Sequence, residues 1–166
     1  MQHFKNILKY FFIFILFILW WYDGSAVKNA LAQCGIKVLM NENHSIKINN
    51  KKIYIAGVED LSTREPDVKK ALINTTKPVI FLTHSPDTFV DIPDSVDLIL
   101  AGHTHGGQII IPFWGPFFVP SDYGNKYAQG LSSEDNKKMI VSRGIGTSSI
   151  HARFNCLPEI IVIDFI

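Results

Sequence analysis

The chain has 166 residues, 47% of them hydrophobic, and a formal net charge of +1 at pH 7. This length allows one soluble domain of ~140 residues after the hydrophobic N-terminus, which is enough to bury a core. Acidic and basic residues nearly balance and form no basic run, so we predict no nucleic-acid partner.

The N-terminal segment is strongly apolar. Residues 10–22 form an uninterrupted apolar run with aromatic residues at its far end. As a helix the run would span roughly 20 Å, which is short of the ~30 Å hydrocarbon core unless Lys9 snorkels and the aromatic rings lie at the interface. We predict that residues 1–24 form a membrane anchor. A cleaved signal peptide is the alternative, and residues 24–26 offer it a weak cleavage site.

The charges around this segment predict its orientation. Lys5 and Lys9 precede the apolar run, and Asp23 follows it. Because positive charge stays on the cytoplasmic side, residues 25–166 are predicted to lie on the extracytoplasmic side as a single domain.

Beyond residue 24 the hydrophobic pattern predicts an α/β fold. Helices are predicted over residues 25–34, over residues 66–73, and in a short segment that Asp87 caps. Strands are predicted at 36–39, 45–48, 53–57, 78–83, 97–101, 108–111, 139–142 and 159–165.

Histidines follow two of the predicted strands. His84 ends the apolar run 78–83, while His103 and His105 lie in a glycine-rich turn directly after the run 97–101. Neutral imidazoles are ready ligands for first-row metals, and flanking glycines allow the backbone to approach an ion closely. One such histidine is usually an ordinary side chain, but three at matched strand ends favour a metal site.

The motifs around these histidines carry a family resemblance. L-T-H-S-P-D and G-H-T-H-G-G-Q, followed by residues 142–147 and 153–160, resemble the C-terminal half of a calcineurin-like metallophosphoesterase of the membrane-associated bacterial branch. The resemblance covers residues 25–166. It implies part of a layered β-sandwich with flanking helices, and hydrolysis of a phosphodiester or pyrophosphate, including lipid-linked substrates. It also implies two divalent metal ions, which are Mn, Zn, Fe or Mg.

The resemblance assigns roles to particular residues. His84 and His103 would bind one metal ion, and His105 would bind the other. Arg143 could receive a substrate phosphate through its guanidinium fork, or it could serve a structural turn. No catalytic residue is assigned.

The family's acidic motifs are absent from the sequence. It contains no D-x-H, no G-D-x-x-D and no G-N-H segment, and its only Asn-His pair, Asn43-His44, is predicted to lie in a strand or turn. Two neighbouring cations repel each other and need bridging carboxylates, whereas three neutral histidines can hold at most one ion such as Zn²⁺. Whether this chain is an enzyme therefore stays open.

Two functions follow from this conflict. The first is a metal-dependent phosphoesterase that is incomplete in this chain, and the alternative is a catalytically inactive membrane-tethered fragment. An internal deletion, an alternative transcript or an error in gene assignment would each explain the missing motifs.

Three other features carry two interpretations each. The apolar loop 112–120 either packs over a sheet edge or contacts the lipid chains of a substrate. Asp60 is predicted to be an ordinary loop acid rather than a contact of solvent or substrate at the site. Asp87 is predicted to cap a helix, with support of His84 as the second interpretation.

Overall fold

A computed structural model of the chain describes residues 20–48 and 50–164. Most of the predicted anchor, residues 1–24, lies outside these ranges. Within them, no helix has the length and apolar character needed to cross a membrane.

The first described helix, α1, spans Trp20–Gln33. It confirms the predicted helix over 25–34 but begins earlier, so Ser25 does not start it. The turn after the helix contains Gly35, whose φ of 74° places it in the left-handed region that favours glycine. The Gly35 amide donates to the Ala32 carbonyl at 2.9 Å, which satisfies one of the last carbonyls of the helix.

Eight strands follow in the described chain. They are β1 (Glu42–Ile48), β2 (Lys51–Gly57), β3 (Val79–Leu82), β4 (Leu98–Ala101), β5 (Ile110–Ile111), β6 (Gly115–Pro116), β7 (Gly130–Glu134) and β8 (Lys137–Val141). Six of them form one sheet in the order β1-β2-β3-β4-β8-β7, and β5 and β6 pair separately. The mixed α/β fold is thereby confirmed. The layered sandwich stays a prediction, because the described residues form only the six-stranded sheet and the β5–β6 pair.

The four central strands of the sheet, β2, β3, β4 and β8, are parallel, and the edge strands β1 and β7 are antiparallel. The continuous apolar sequences of β3 and β4 are typical of strands that are covered on both faces. Phe81 on β3, Ile99 on β4 and Met139 on β8 are fully buried. Each such side chain contributes about 1.5–3 kcal/mol by leaving water. The core therefore fixes the carboxyl ends of β3 and β4 at one edge of the sheet.

The short helices differ in detail from the predicted ones. The second helix, α2, spans Val68–Ala71, and the side chain of Asp67 accepts the Lys70 amide at 2.8 Å. A 3₁₀ segment spans Pro86–Asp91. Its cap is Ser85, so the prediction that Asp87 caps this helix was wrong.

Two predicted strands are not strands in the structure. Residues 36–39 are irregular, and Leu39 packs so close to Gly57 that a Cβ there would lie 2.7 Å from the Leu39 Cβ. Residues 159–164 are also irregular. The Glu159 carboxylate accepts the Arg143 amide at 2.8 Å, and the Glu159 amide donates to the Gly144 carbonyl at 3.0 Å, so these two bonds rather than a strand ladder hold the segment.

The Asn43-His44 pair lies on β1, as predicted. The Asn43 side chain donates to the Ala71 carbonyl at 2.8 Å, which ties α2 to the edge of the sheet. The His44 ring is exposed and lies 3.3 Å from the Lys37 amino group. The Asn43 and His44 side chains thus contact segments that lie next to the edge strand β1.

Candidate metal site

His84 and His103 meet at the carboxyl ends of β3 and β4. The Gly102 amide donates to the His84 carbonyl at 3.0 Å, which continues the strand pairing up to the site. His103 Nδ1 lies 3.0 Å from His84 Nε2. The ring centroids are 4.7 Å apart with an interplanar angle of 67°. The sheet therefore brings two of the three predicted metal ligands together.

The backbone that carries His103 and His105 is strained. His103 has a φ of 70°, and His105 has a φ of 52°. A left-handed conformation costs a non-glycine residue roughly 1–2 kcal/mol. Gly106 and Gly107 continue the turn with φ values of 64° and 78°, which explains the glycine pair of the motif. Strain of this kind persists only where packing over-determines the conformation, and it clusters at functional sites.

The surroundings keep His84 neutral. Burial, followed by the nearby His103, lowers the pKa of His84 to about 4, while Asp60 acts in the opposite direction. Burial also lowers the pKa of His105, and the Gly146 carbonyl partly offsets this effect. A neutral imidazole has a free nitrogen lone pair, which is the form that binds metal ions.

His105 is positioned apart from this pair. Its Nδ1 lies 3.3 Å from the Gly146 carbonyl, so it faces the loop that follows β8. Within the described ranges, no three His, Cys, Asp or Glu side chains lie close enough together to hold one metal ion. The assignment of His105 to a second ion stays a prediction.

The geometry of the His84–His103 pair fits part of a metal site. Two nitrogens that each lie ~2.0–2.1 Å from one ion are about 2.9–3.4 Å apart at octahedral or tetrahedral angles. The observed separation of 3.0 Å falls within that range. The pair could therefore supply two ligands to one divalent cation, whereas the carboxylates that a two-metal centre needs are not grouped with it among the described residues.

Arg153 connects the turn that carries His105 to the loop after β8, which together form the loop side of the site. The sequence did not indicate this role. The Arg153 guanidinium donates to the His105 carbonyl at 3.0 Å, to the Arg143 carbonyl at 2.6 Å and to the Gly146 carbonyl at 2.7 Å. One side chain thereby joins the G-H-T-H turn to the loop after β8. Its planar fork suits several acceptors at once.

Gln108, the last residue of the G-H-T-H-G-G-Q motif, is a second such contact that sequence reasoning missed. Its amide nitrogen donates to the Ser148 carbonyl at 2.9 Å and to the Ile150 carbonyl at 3.0 Å. Its amide oxygen accepts the Ser148 backbone N–H. Gln108 therefore fixes residues 146–150 beside His105.

Arg143 is paired with Glu159. One guanidinium nitrogen donates to the carboxylate at 2.6 Å. Part of the fork that the resemblance offered to a phosphate is thus in use by a structural ion pair. The role of Arg143 toward a substrate stays a prediction.

Asp87 of the H-S-P-D motif binds a neighbouring loop. Its carboxylate accepts the Ser121 hydroxyl at 2.5 Å and the Asp122 amide at 2.8 Å. These bonds hold the end of the apolar loop 112–120 next to the segment that follows His84.

The chain is similar to known proteins over most of its length. The chain is 34% identical over 145 residues to the metallophosphoesterase YkuE of Bacillus subtilis, which covers 85% of the chain and 50% of that protein. It is 31% identical over 144 residues to the phosphodiesterase YaeI of Escherichia coli, with 84% and 51% covered. It is 37% identical over 139 residues to the metallophosphoesterase Cj0846 of Campylobacter jejuni, with 78% and 34% covered. No protein-family model and no solved structure matches.

These similarities show which class of protein the chain belongs to. The chain belongs to the calcineurin-like metallophosphoesterase family. It spans about half the length of the first curated relatives it matches.

Proposed function

We propose that this chain takes part in the metal-dependent hydrolysis of a phosphoester, with His84 and His103 as ligands of a divalent cation. The observation that carries the proposal is the pair of ring nitrogens 3.0 Å apart at the ends of β3 and β4. Two relatives support it by name, one as a metallophosphoesterase and one as a phosphodiesterase. Because the chain spans about half of each, its own activity is part of the proposal.

The residues of the chain have distinct tasks in this function. A bound divalent cation would polarise a phosphoryl oxygen and lower the pKa of a coordinated water. His84 and His103 offer ring nitrogens at a position that the sheet fixes. His105, predicted to bind a second ion, and Arg143, predicted to receive a substrate phosphate, lie on the loop side.

The test is hydrolysis of bis(p-nitrophenyl) phosphate by the full chain with Mn²⁺, Mg²⁺ or Zn²⁺. We expect His103→Ala to lower the rate by ~100-fold or more, because it removes a metal ligand. His44→Ala changes an exposed histidine on β1 and should leave the rate unchanged. No rate above a protein-free blank with any of the three metals would contradict the proposal and favour the inactive fragment.

The apolar loop supports a lipid-linked substrate as the finer proposal. Phe113 is 111% exposed, Trp114 85% and Phe117 70%, whereas Val119 of the same loop is buried, so the loop packs at Val119 and presents these three rings to solvent. The loop adjoins the histidine turn, because a Cβ at Gly107 would lie 2.6 Å from the Pro116 Cβ. Exposed aromatic rings beside a phosphoesterase site suit a substrate that carries acyl chains.

A comparison of two substrates tests this finer proposal. Trp114→Ser should slow the hydrolysis of a lipid-linked pyrophosphate in detergent micelles several-fold and leave bis(p-nitrophenyl) phosphate hydrolysis unchanged. Tyr123→Ser alters a less exposed aromatic residue outside this loop and serves as the control. Equal effects of Trp114→Ser on both substrates would refute a role in binding lipid.

We also propose that residues 1–24 attach the chain to a membrane with the folded part on the extracytoplasmic side. The support is the apolar run 10–22 with Lys5 and Lys9 before it. Protease added to intact spheroplasts should digest residues 25–166. Protection of these residues in intact spheroplasts and digestion only after the spheroplasts are lysed would contradict the orientation.

A further inference from the structure

Asp60 brings a carboxylate to the histidine edge of the sheet. It follows β2, the parallel neighbour of β3, and the Val58 amide donates to the Leu82 carbonyl at 3.3 Å. Val58 and Leu82 are thus bonded neighbours on these adjacent segments. Asp60 and His84 each lie two residues further along the chain. The Asp60 residue is only 5% exposed.

The two oxygens of the Asp60 carboxylate differ in their hydrogen bonding. Oδ2 accepts the Thr63 hydroxyl at 2.9 Å, and the Asp60 carbonyl accepts the Arg64 amide at 2.8 Å, which together fix the residue. Oδ1 is buried and has no hydrogen-bond partner among the described residues. A buried carboxylate oxygen without a hydrogen bond lowers the stability of the folded protein, so its presence indicates a binding role.

The Asp60 carboxylate follows β2 at the edge of the sheet where His84 follows β3 and His103 follows β4. Its negative charge would therefore lie on the same edge as a cation held by the two imidazoles. Neutral ligands alone leave the two positive charges of such an ion uncompensated.

We propose that Asp60 is a positioning residue of the metal site, and that its Oδ1 accepts a hydrogen bond from a water molecule on the cation held by His84 and His103. This inference rests on the proposed function. The contact satisfies the unpaired oxygen and supplies negative charge beside the cation. Outer carboxylates of this kind strengthen metal binding by orienting the groups that contact the ion.

The test measures binding of Mn²⁺ and Zn²⁺ to the full chain in detergent micelles by calorimetry, together with thermal unfolding of the metal-free protein. Asp60→Asn keeps the shape and removes the charge. We expect metal affinity to fall ~10–100-fold, with the unfolding temperature of the metal-free protein unchanged or raised, because an uncompensated buried charge is lost.

Two variants serve as controls. Asp94→Asn removes the charge of an exposed residue and should change neither quantity. Thr63→Val removes the partner of Oδ2 but keeps the charge, so metal affinity should stay within a few-fold of the original.

Several outcomes separate this inference from the proposed function. If the original chain binds metal, His103→Ala weakens binding and Asp60→Asn does not, the role of Asp60 is refuted and the site stands. If Asp60→Asn lowers the unfolding temperature of the metal-free protein to the same extent as Thr63→Val, Asp60 is only structural. If the original chain binds neither metal, both proposals fail.

Discussion

The two sides of the candidate site are built by different interactions. His84 and His103 follow neighbouring strands whose register is set by a buried core, with Phe81 opposite Ile99. His105 lies in a turn that is held by hydrogen bonds from side chains to backbone carbonyls, among them the bond from Arg153 to the His105 carbonyl at 3.0 Å. Burial fixes one side of the site, and polar contacts between loops fix the other.

This difference predicts different mechanical behaviour. A buried parallel strand can move only if the core opens, whereas a loop held by hydrogen bonds can open locally at a lower free energy. The strand side should therefore form a rigid platform. The loop side should be more sensitive to substitution of single polar residues.

The largest effect is expected at Gly106, where the loop side is most crowded. Its φ is 64°, and a Cβ there would lie 2.6 Å from the Arg143 side chain and 2.8 Å from the Cys156 sulfur. Gly106→Ala combines left-handed strain with overlap in a packed region. We expect a loss of about 3–4 kcal/mol in the free energy of unfolding, measured by urea denaturation.

Gly124 provides a matched control for that substitution. Its φ is 58°, and nothing lies within 4 Å of a Cβ placed there. Gly124→Ala should therefore lower the free energy of unfolding by only about 1 kcal/mol, which is the cost of the left-handed backbone conformation alone. If both variants lose the same free energy of unfolding, the packing around Gly106 is loose. The loop side would then be less ordered than the hydrogen bonds indicate.

The strand side should respond to pH. Burial followed by His103 lowers the pKa of His84 from 6.5 to about 4, so the unfolded chain binds more protons between these two values. The stability is fully present above about pH 6.5 and is lost as the pH falls toward 4. The loss attributable to His84 should reach about 3 kcal/mol in the metal-free protein.

Denaturation across this pH window tests the assignment. Carboxylates also titrate at the acid end, so the quantity to compare is the pH slope of the original chain and of His84→Gln. The His84→Gln protein should have the smaller slope, and His44→Gln, at an exposed position, should retain the original one. An unchanged slope in His84→Gln would show that the imidazole is not kept neutral by burial.

Arg153 is the test of the loop side. Arg153→Met keeps most of the stem but removes the donors to the His105, Arg143 and Gly146 carbonyls. Leaving partly buried acceptors unpaired should cost about 2 kcal/mol. In ring-proton spectra, the His105 signals should shift and broaden while those of His84 and His103 stay in place. Equal changes at all three histidines would mean that the two sides are one unit.

The sequence predicts the strand side of the site better than the loop side. The runs before His84 and His103 are continuous and apolar, so burial alone indicates two adjacent strands with a histidine after each. The roles of Arg153 and Gln108 depend on carbonyls 48 and 40 residues away along the chain. No local pattern carries that information, because any loop can present a carbonyl.

The fold shows the same limit. Strand β7 was not predicted, because its sequence Gly-Leu-Ser-Ser-Glu has no apolar alternation and its side chains are mostly exposed. It forms by pairing with β8 across a turn in which Asp135 has a φ of 52°. Residues 36–39 have the composition of a strand but are irregular, and Leu39 packs against Gly57 instead, so tertiary packing decides their conformation.

The smallest expected effect concerns a polar contact on the strand side. Lys137 on β8 donates to the Phe89 carbonyl at 3.2 Å and to the Ile92 carbonyl at 2.8 Å, which ties the 3₁₀ segment after His84 to the sheet. Lys137→Met should cost only about 1 kcal/mol, because Phe89 and Ile92 remain buried in the core. Lys138→Met, at the adjacent exposed position, should cost less still. A loss from Lys137→Met as large as that from Arg153→Met would mean that hydrogen bonds, rather than burial, also hold the strand side.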